Sequence, residues 1–185
     1  MGENKSLLLK SSMQYGLSMG IFWCIKYLFF MLGISSNFWG ILYMTLTLLV
    51  PFFAYFFTWR YKRDIGGKIG FFHAWQFGVL LYFFAALIVC LEHYIFYQYI
   101  APPGFLANSL NQTLELLRNS QVDPQMVEAI GNVNISPIQM AIQGIFNNVF
   151  YGVIFSIPIA MIASRKPLQP EENIPPTTNQ SEENE

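Results

Sequence analysis

Residues 71–100 read FFHAWQFGVLLYFFAALIVCLEHYIFYQYI. The stretch holds one acidic residue, Glu92, and no Lys or Arg. As a helix it would extend about 45 Å, more than the ~30 Å of a bilayer's hydrocarbon core. It lacks the period-two alternation of a barrel strand. A lone strand would also leave its backbone polar groups unpaired in lipid, so a helix is the state that satisfies this segment.

Three further segments of the same kind lie outward from it, at residues 12–33, 38–59 and 137–163. The composition agrees: 54% of the 185 residues are hydrophobic and 11% charged, where soluble domains carry roughly a quarter charged residues. The expected fold is all-α, an integral membrane bundle of four transmembrane helices. Ten Lys and Arg residues are distributed unevenly around these spans. Lys5, Lys10, Arg60, Lys62, Arg63, Lys68, Arg165 and Lys166 gather at one side, Arg118 lies at the other, and Lys26 lies within a span. By the positive-inside rule, both termini and the basic loop before residue 71 face the cytoplasm of a cell whose plasma (inner) membrane holds the chain. The N-terminal apolar run is too long for a signal-peptide core, and it contains Lys26, so it is read as a retained span.

The chain divides into a cytoplasmic N-terminus at 1–11, a transmembrane domain at 12–166 and an acidic tail at 167–185. The tail has nothing to bury and is expected to be disordered. Residues 101–136 form an outward loop between spans three and four. Leu106, Leu110, Leu114 and Leu117 recur there at helical spacing. Asp123-Pro124 reads as an N-cap followed by a first-turn proline, as does Ser136-Pro137 at the start of span four. A short amphipathic helical loop is expected between helices 3 and 4.

Five polar residues within the spans are candidates for a site: Lys26, Glu92, His93, Asn147 and Asn148. A charge within a span costs on the order of 3 kcal/mol and needs a partner. Lys26 lies seven residues before Gly33 and Glu92 eight before Ile100, so their depths match and an ion pair is allowed. Gly16, Gly20, Gly78, Ala85, Gly144 and Gly152 are expected to be helix-packing positions, since small residues let helices approach. His73 is expected to be solvated near the inner interface. The two cysteines, Cys24 and Cys90, lie inside spans. No Cys/His spacing suggests a metal site, and no phosphate-binding, nucleophile-elbow or metalloprotease motif is present. No cofactor, metal or nucleic-acid partner is expected.

The chain resembles the small bacterial membrane proteins grouped as domain of unknown function 4199, over roughly residues 5–166. The residues carrying the resemblance are Gly66-Gly67-Lys68-Ile69-Gly70-Phe71 with the following 72–78 helix start, and Tyr94-Ile95-Phe96-Tyr97-Gln98-Tyr99-Ile100 with Pro102 and Phe105. It implies four helices, an outward loop before the last, and a charged residue in the first span, which Lys26 matches. Ala101 stands where the resemblance implies an acidic residue. No substrate or catalytic residue follows from it. The expected role is therefore a non-enzymatic structural, accessory or partner-binding component of the bilayer, acting with another membrane protein or as a homodimer. The alternative is a small proton- or ion-coupled transporter using the Lys26 and Glu92 site.

Overall fold

The computed structural model describes residues 2–33, 36–120, 122–133 and 135–165. The acidic tail and Lys166 lie outside these residues. Six helices follow one another: α1 (Gly2–Gly33), α2 (Asn37–Asp64), α3 (Phe71–Ile95), α4 (Phe105–Asn119), α5 (Pro124–Gly131) and α6 (Pro137–Ser164). A π-helical turn, Phe96–Ile100, extends α3. The described residues contain four helices long and apolar enough to cross a membrane: Lys5–Gly33, Asn37–Asp64, Phe71–Ile100 and Pro137–Ser164. The protein is a multi-pass membrane protein.

Two helices run beyond the apolar segments read from the sequence. α1 starts at Gly2, well ahead of residue 12, so Lys5 and Lys10 lie on the helix itself. α2 continues through Arg60, Lys62 and Arg63 to Asp64. Lys62 and Arg63 sit in its last turn, where they complement the partial negative charge of the helix C-terminus. The reversal to α3 is therefore shorter than the basic stretch implied. It turns on Gly66 and Gly67, whose φ of 94° and 81° would strain any residue with a Cβ.

α3 is the hub. It packs most extensively on α6 and α1, which lie on different sides of it and barely meet. Backbone proximity makes these contacts. A Cβ on Gly152 would lie 2.5 Å from Tyr82 Cβ, and one on Gly16 would lie 2.5 Å from Phe84 Cβ. A Cβ on Gly20 would reach Ile88 Cβ at 3.0 Å, and one on Gly78 would come within 2.6 Å of Ser156 Cβ. The Gly16 and Gly20 pair thus packs within the chain, against α3, where it cannot also serve a homodimer. Trp75 Nε1 donates to the Val153 carbonyl at 3.2 Å, a side-chain bridge between α3 and α6.

α2 is attached differently. Large rings join it to its neighbours: Phe53 stacks on Phe22 of α1 at 4.4 Å, and Tyr61 stacks on Phe77 of α3 at 4.2 Å. Rings keep the backbones apart where glycine would draw them in. The buried residues of α2 are Val50, Ala54, Thr58, Tyr61 and Lys62, all from its midpoint onward. There Lys62 Nζ donates to the Ala163 carbonyl at 2.5 Å, joining α2 to the C-terminal end of α6. Between 37 and 49 no residue of α2 is buried. The bundle is closed at its basic end and loose at the other.

Beyond the loose end, α4 and α5 form an amphipathic pair, with Leu114 and Val127 as their buried residues. The Asp123 side chain accepts from the Gln125 N–H at 2.9 Å, capping α5. Ser136 and Gln139 form a reciprocal capping box that starts α6.

Two predictions follow from this packing. Gly152→Leu should destabilise the detergent-solubilised protein by about 1–3 kcal/mol through overpacking, whereas Gly40→Ala, where nothing lies within 4 Å, should be neutral or slightly stabilising; thermal unfolding of both variants checks this. Lys62→Met should cost about 1–3 kcal/mol, because it strips a hydrogen bond from a buried carbonyl at the closed end; unchanged unfolding would show that α2 and α6 need no polar join.

Candidate functional site: a cavity around Lys26 in the loose half of the bundle

The space left by α2 is a cavity of about 460 Å³. α1 contributes Trp23, Lys26 and Tyr27, and α2 contributes Tyr43, Thr47, Leu48, Val50 and Pro51. Tyr82 of α3 and Asn148, Tyr151 and Phe155 of α6 complete it. A second cavity of about 230 Å³ adjoins it and shares Tyr27, Tyr43, Asn148 and Tyr151. His93, Tyr97, Gln143 and Asn147 belong to this second space. Such volumes are in or near the range of small-molecule sites.

Lys26 is the central charge. It is 5% exposed. Its ammonium lies 4.4 Å from the Tyr27 ring centre, 5.3 Å from Tyr43 and 5.5 Å from Trp23. These rings offer cation–π attraction worth roughly 0.5–2 kcal/mol. They supply no counter-charge. The side chain is caged by rings instead of stretching to the headgroups.

Glu92 does not pair with Lys26. Its carboxylate neighbours the Cys24 thiol of α1 as a hydrogen-bond partner, and its Oε2 is buried without one. The reason is azimuth. Cys24 and Lys26 are two residues apart, about 200° around the helix. If Cys24 faces Glu92 on α3, Lys26 must face away. Depth matching made the pair geometrically allowed; rotation about α1 separates the two groups. Neither of the two cavities is lined by Glu92.

The remaining candidates divide between the cavities and the bundle surface. The His93 ring packs edge-on against Tyr27 at 4.4 Å, and a Cβ on Gly144 would lie 3.1 Å from its Nδ1. The close approach of Gly144 is what admits the imidazole. Asn148 reaches the Tyr27 hydroxyl, and Tyr43 lies beside both Tyr27 and Thr47. Asn147 is exposed and accepts from Gln143 Nε2 at 3.1 Å along its own helix. Ala85 and Gly78 are buried on α3. His73 is not merely solvated: its Nε2 lies 2.6 Å from the Tyr61 hydroxyl at the closed end.

Residue-by-residue reading missed the tyrosines. Tyr27, Tyr43, Tyr82 and Tyr151 all line the larger cavity. The available signal was position: a phenol far from the interfacial belt must find a hydrogen-bond partner or a polar space. The Trp23 indole N–H and the Tyr82 hydroxyl are buried without a partner, and the two rings meet edge to face at 5.4 Å. Among the described residues, no group of three His, Cys, Asp or Glu side chains is placed to hold a metal ion.

No curated protein and no solved structure matches the chain. The sequence pattern of one family matches residues 14–165, a stretch that takes in all the cavity residues. The chain belongs to the family described as Protein of unknown function (DUF4199).

Proposed function

We propose that this protein is a non-enzymatic component of the inner membrane that works by binding a ligand in its loose half, with both termini in the cytoplasm. The observation that carries this reading is Lys26: a cation 5% exposed, without an acidic partner among the described residues, on the wall of a cavity of about 460 Å³. A bundle selected only for stability would fill that space and replace the charge, since an unpaired buried charge costs several kcal/mol.

The polar groups near it are arranged for contact more than for reaction. Cys90, Glu92 and His93 are close in sequence but fan out around α3: Glu92 meets Cys24 of α1, while His93 meets Tyr27 and Gly144. Among the described residues, no nucleophile stands in hydrogen-bonding reach of a base that is itself oriented by a third group. A carrier using Glu92 as its ion site has weaker support, because that carboxylate lies off the two cavities and apart from Lys26.

Orientation rests on the side shared by the basic residues. Lys5 and Lys10 on α1, Arg60, Lys62 and Arg63 on α2, Lys68 before α3 and Arg165 after α6 lie at one end of an antiparallel bundle. That end should be cytoplasmic.

The binding reading predicts that Lys26→Met raises the melting temperature of the detergent-solubilised protein, by a stability gain of about 1–3 kcal/mol. If Lys26 were instead a structural element held by its rings, the same change would lower it. For orientation, single cysteines are placed at Arg165→Cys or Ser109→Cys in a background with Cys24→Ala and Cys90→Ala. A membrane-impermeant maleimide added to intact cells should label position 109 and not 165. The reverse pattern would invert the topology.

A further inference from the structure

The cavity has a direction. Its rim includes Leu48 of α2 and Tyr151 and Phe155 of α6, which are 72%, 54% and 43% exposed. These residues face what would be hydrocarbon, so the space between α2 and α6 opens sideways into the bilayer. Leu48, Val50, Pro51 and Phe155 make much of the wall apolar. Lys26 is the one charged residue in the lining. Trp23 and Tyr82 belong to the same wall, and each holds a buried donor with no acceptor. Tyr43 stands in the wall of this cavity and of a wider cleft of about 880 Å³ between α4 and the adjoining ends of α1 and α2.

Depth adds a second constraint. With Lys10 at the basic edge of the hydrocarbon, Lys26 stands sixteen residues along α1, about 24 Å into a core of ~30 Å. Its Cα is then roughly 6 Å below the opposite boundary, and about 10 Å below the end of α1 at Gly33, a depth to which the polar head of a leaflet amphiphile can sink to meet the ammonium.

Resting on the binding reading above, we propose that the cavity holds an anionic amphiphile, with a carboxylate or phosphate head against Lys26 and its chain passing out between α2 and α6. The head supplies the counter-charge that the protein omits. The ring cage holds the ammonium in place before the ligand arrives, so little ordering is needed on binding. The apolar wall below the head takes the first part of the chain, and the lateral opening lets the rest remain among the lipids. A zwitterionic head would bring its own cation close to Lys26 and should bind less well.

The test uses Trp23 as the reporter. Trp39, Trp59 and Trp75 are replaced by Phe, and the full-length protein is reconstituted into phosphatidylcholine vesicles. Three chain-brominated quenchers are titrated separately: phosphatidylglycerol, stearate and phosphatidylcholine. Either anionic quencher should reach half-maximal quenching at a mole fraction at least about tenfold below that of phosphatidylcholine, a preference of about 1.4 kcal/mol. Preference for stearate alone identifies a free fatty acid as the source of the anion; preference for phosphatidylglycerol identifies a membrane phospholipid. Lys26→Gln should bring the quenchers to parity, Lys26→Arg should keep the preference, and Lys10→Gln should leave it unchanged. A melting curve establishes that each variant is folded. Parity in the Lys26 protein, or a preference that survives Lys26→Gln, would overturn the proposal. If Lys26→Met still raised the melting temperature, the binding cavity would stand without an anionic ligand. If it lowered that temperature, both readings would fall.

Discussion

The close approach of α1 and α6 to α3 is the constraint on which the rest of the structure depends. In a bilayer, helices gain little from burying apolar surface, because lipid chains are as apolar as leucine. Association has to come from contact at short range, and contact at short range needs small residues. Gly16 and Gly20 supply them toward Phe84 and Ile88, while Gly78 and Gly152 supply them toward Ser156 and Tyr82. Three helices are thereby drawn into a tight unit with α3 between the other two.

α2 cannot join that unit on the same terms. Its contacts are rings, Phe53 on Phe22 and Tyr61 on Phe77, and rings hold backbones at a distance. At the basic end the gap is closed by small Ala54 and by Lys62 reaching the Ala163 carbonyl. Toward the other end α2 is drawn in against α1 beside the hairpin, where a Cβ on Gly33 would lie 3.2 Å from Gly40 N, and the cavity around Lys26 lies between that contact and the closed end. The site is thus a product of a change in packing mode along one helix. Lys26 occupies the face of α1 turned toward α2, and Cys24 occupies the face turned toward α3 and Glu92.

Buried polar groups are satisfied in some places and not in others. At the closed end the Tyr61 hydroxyl meets His73, and Lys62 meets a carbonyl. Glu92 Oε2, Trp23 Nε1 and Tyr82 OH are buried without partners, as are Ser12 Oγ and Ser156 Oγ toward the basic end. Unpaired polar groups inside a membrane bundle are costly, and the two that stand in the cavity wall, Trp23 and Tyr82, lie beside an ammonium with no acidic partner among the described residues.

The sequence by itself determined the number of spans, their helical state and the side on which the positive charges gather. Each of these follows from sums along the chain: hydropathy over a window, backbone groups that must be paired in lipid, and the distribution of Lys and Arg around the apolar runs. It also marked the glycines, and it marked Lys26 and Glu92 as anomalous. It could place those two residues at similar depth, because depth is a count of residues along an axis. Only the tertiary structure decided that they do not meet, that Tyr27, Tyr43 and Trp23 surround the ammonium, and that α2 stands away from α6 in one half. Those outcomes depend on the rotation of each helix about its axis and on which side chains separate the backbones, and both are set by contacts between segments far apart in the chain.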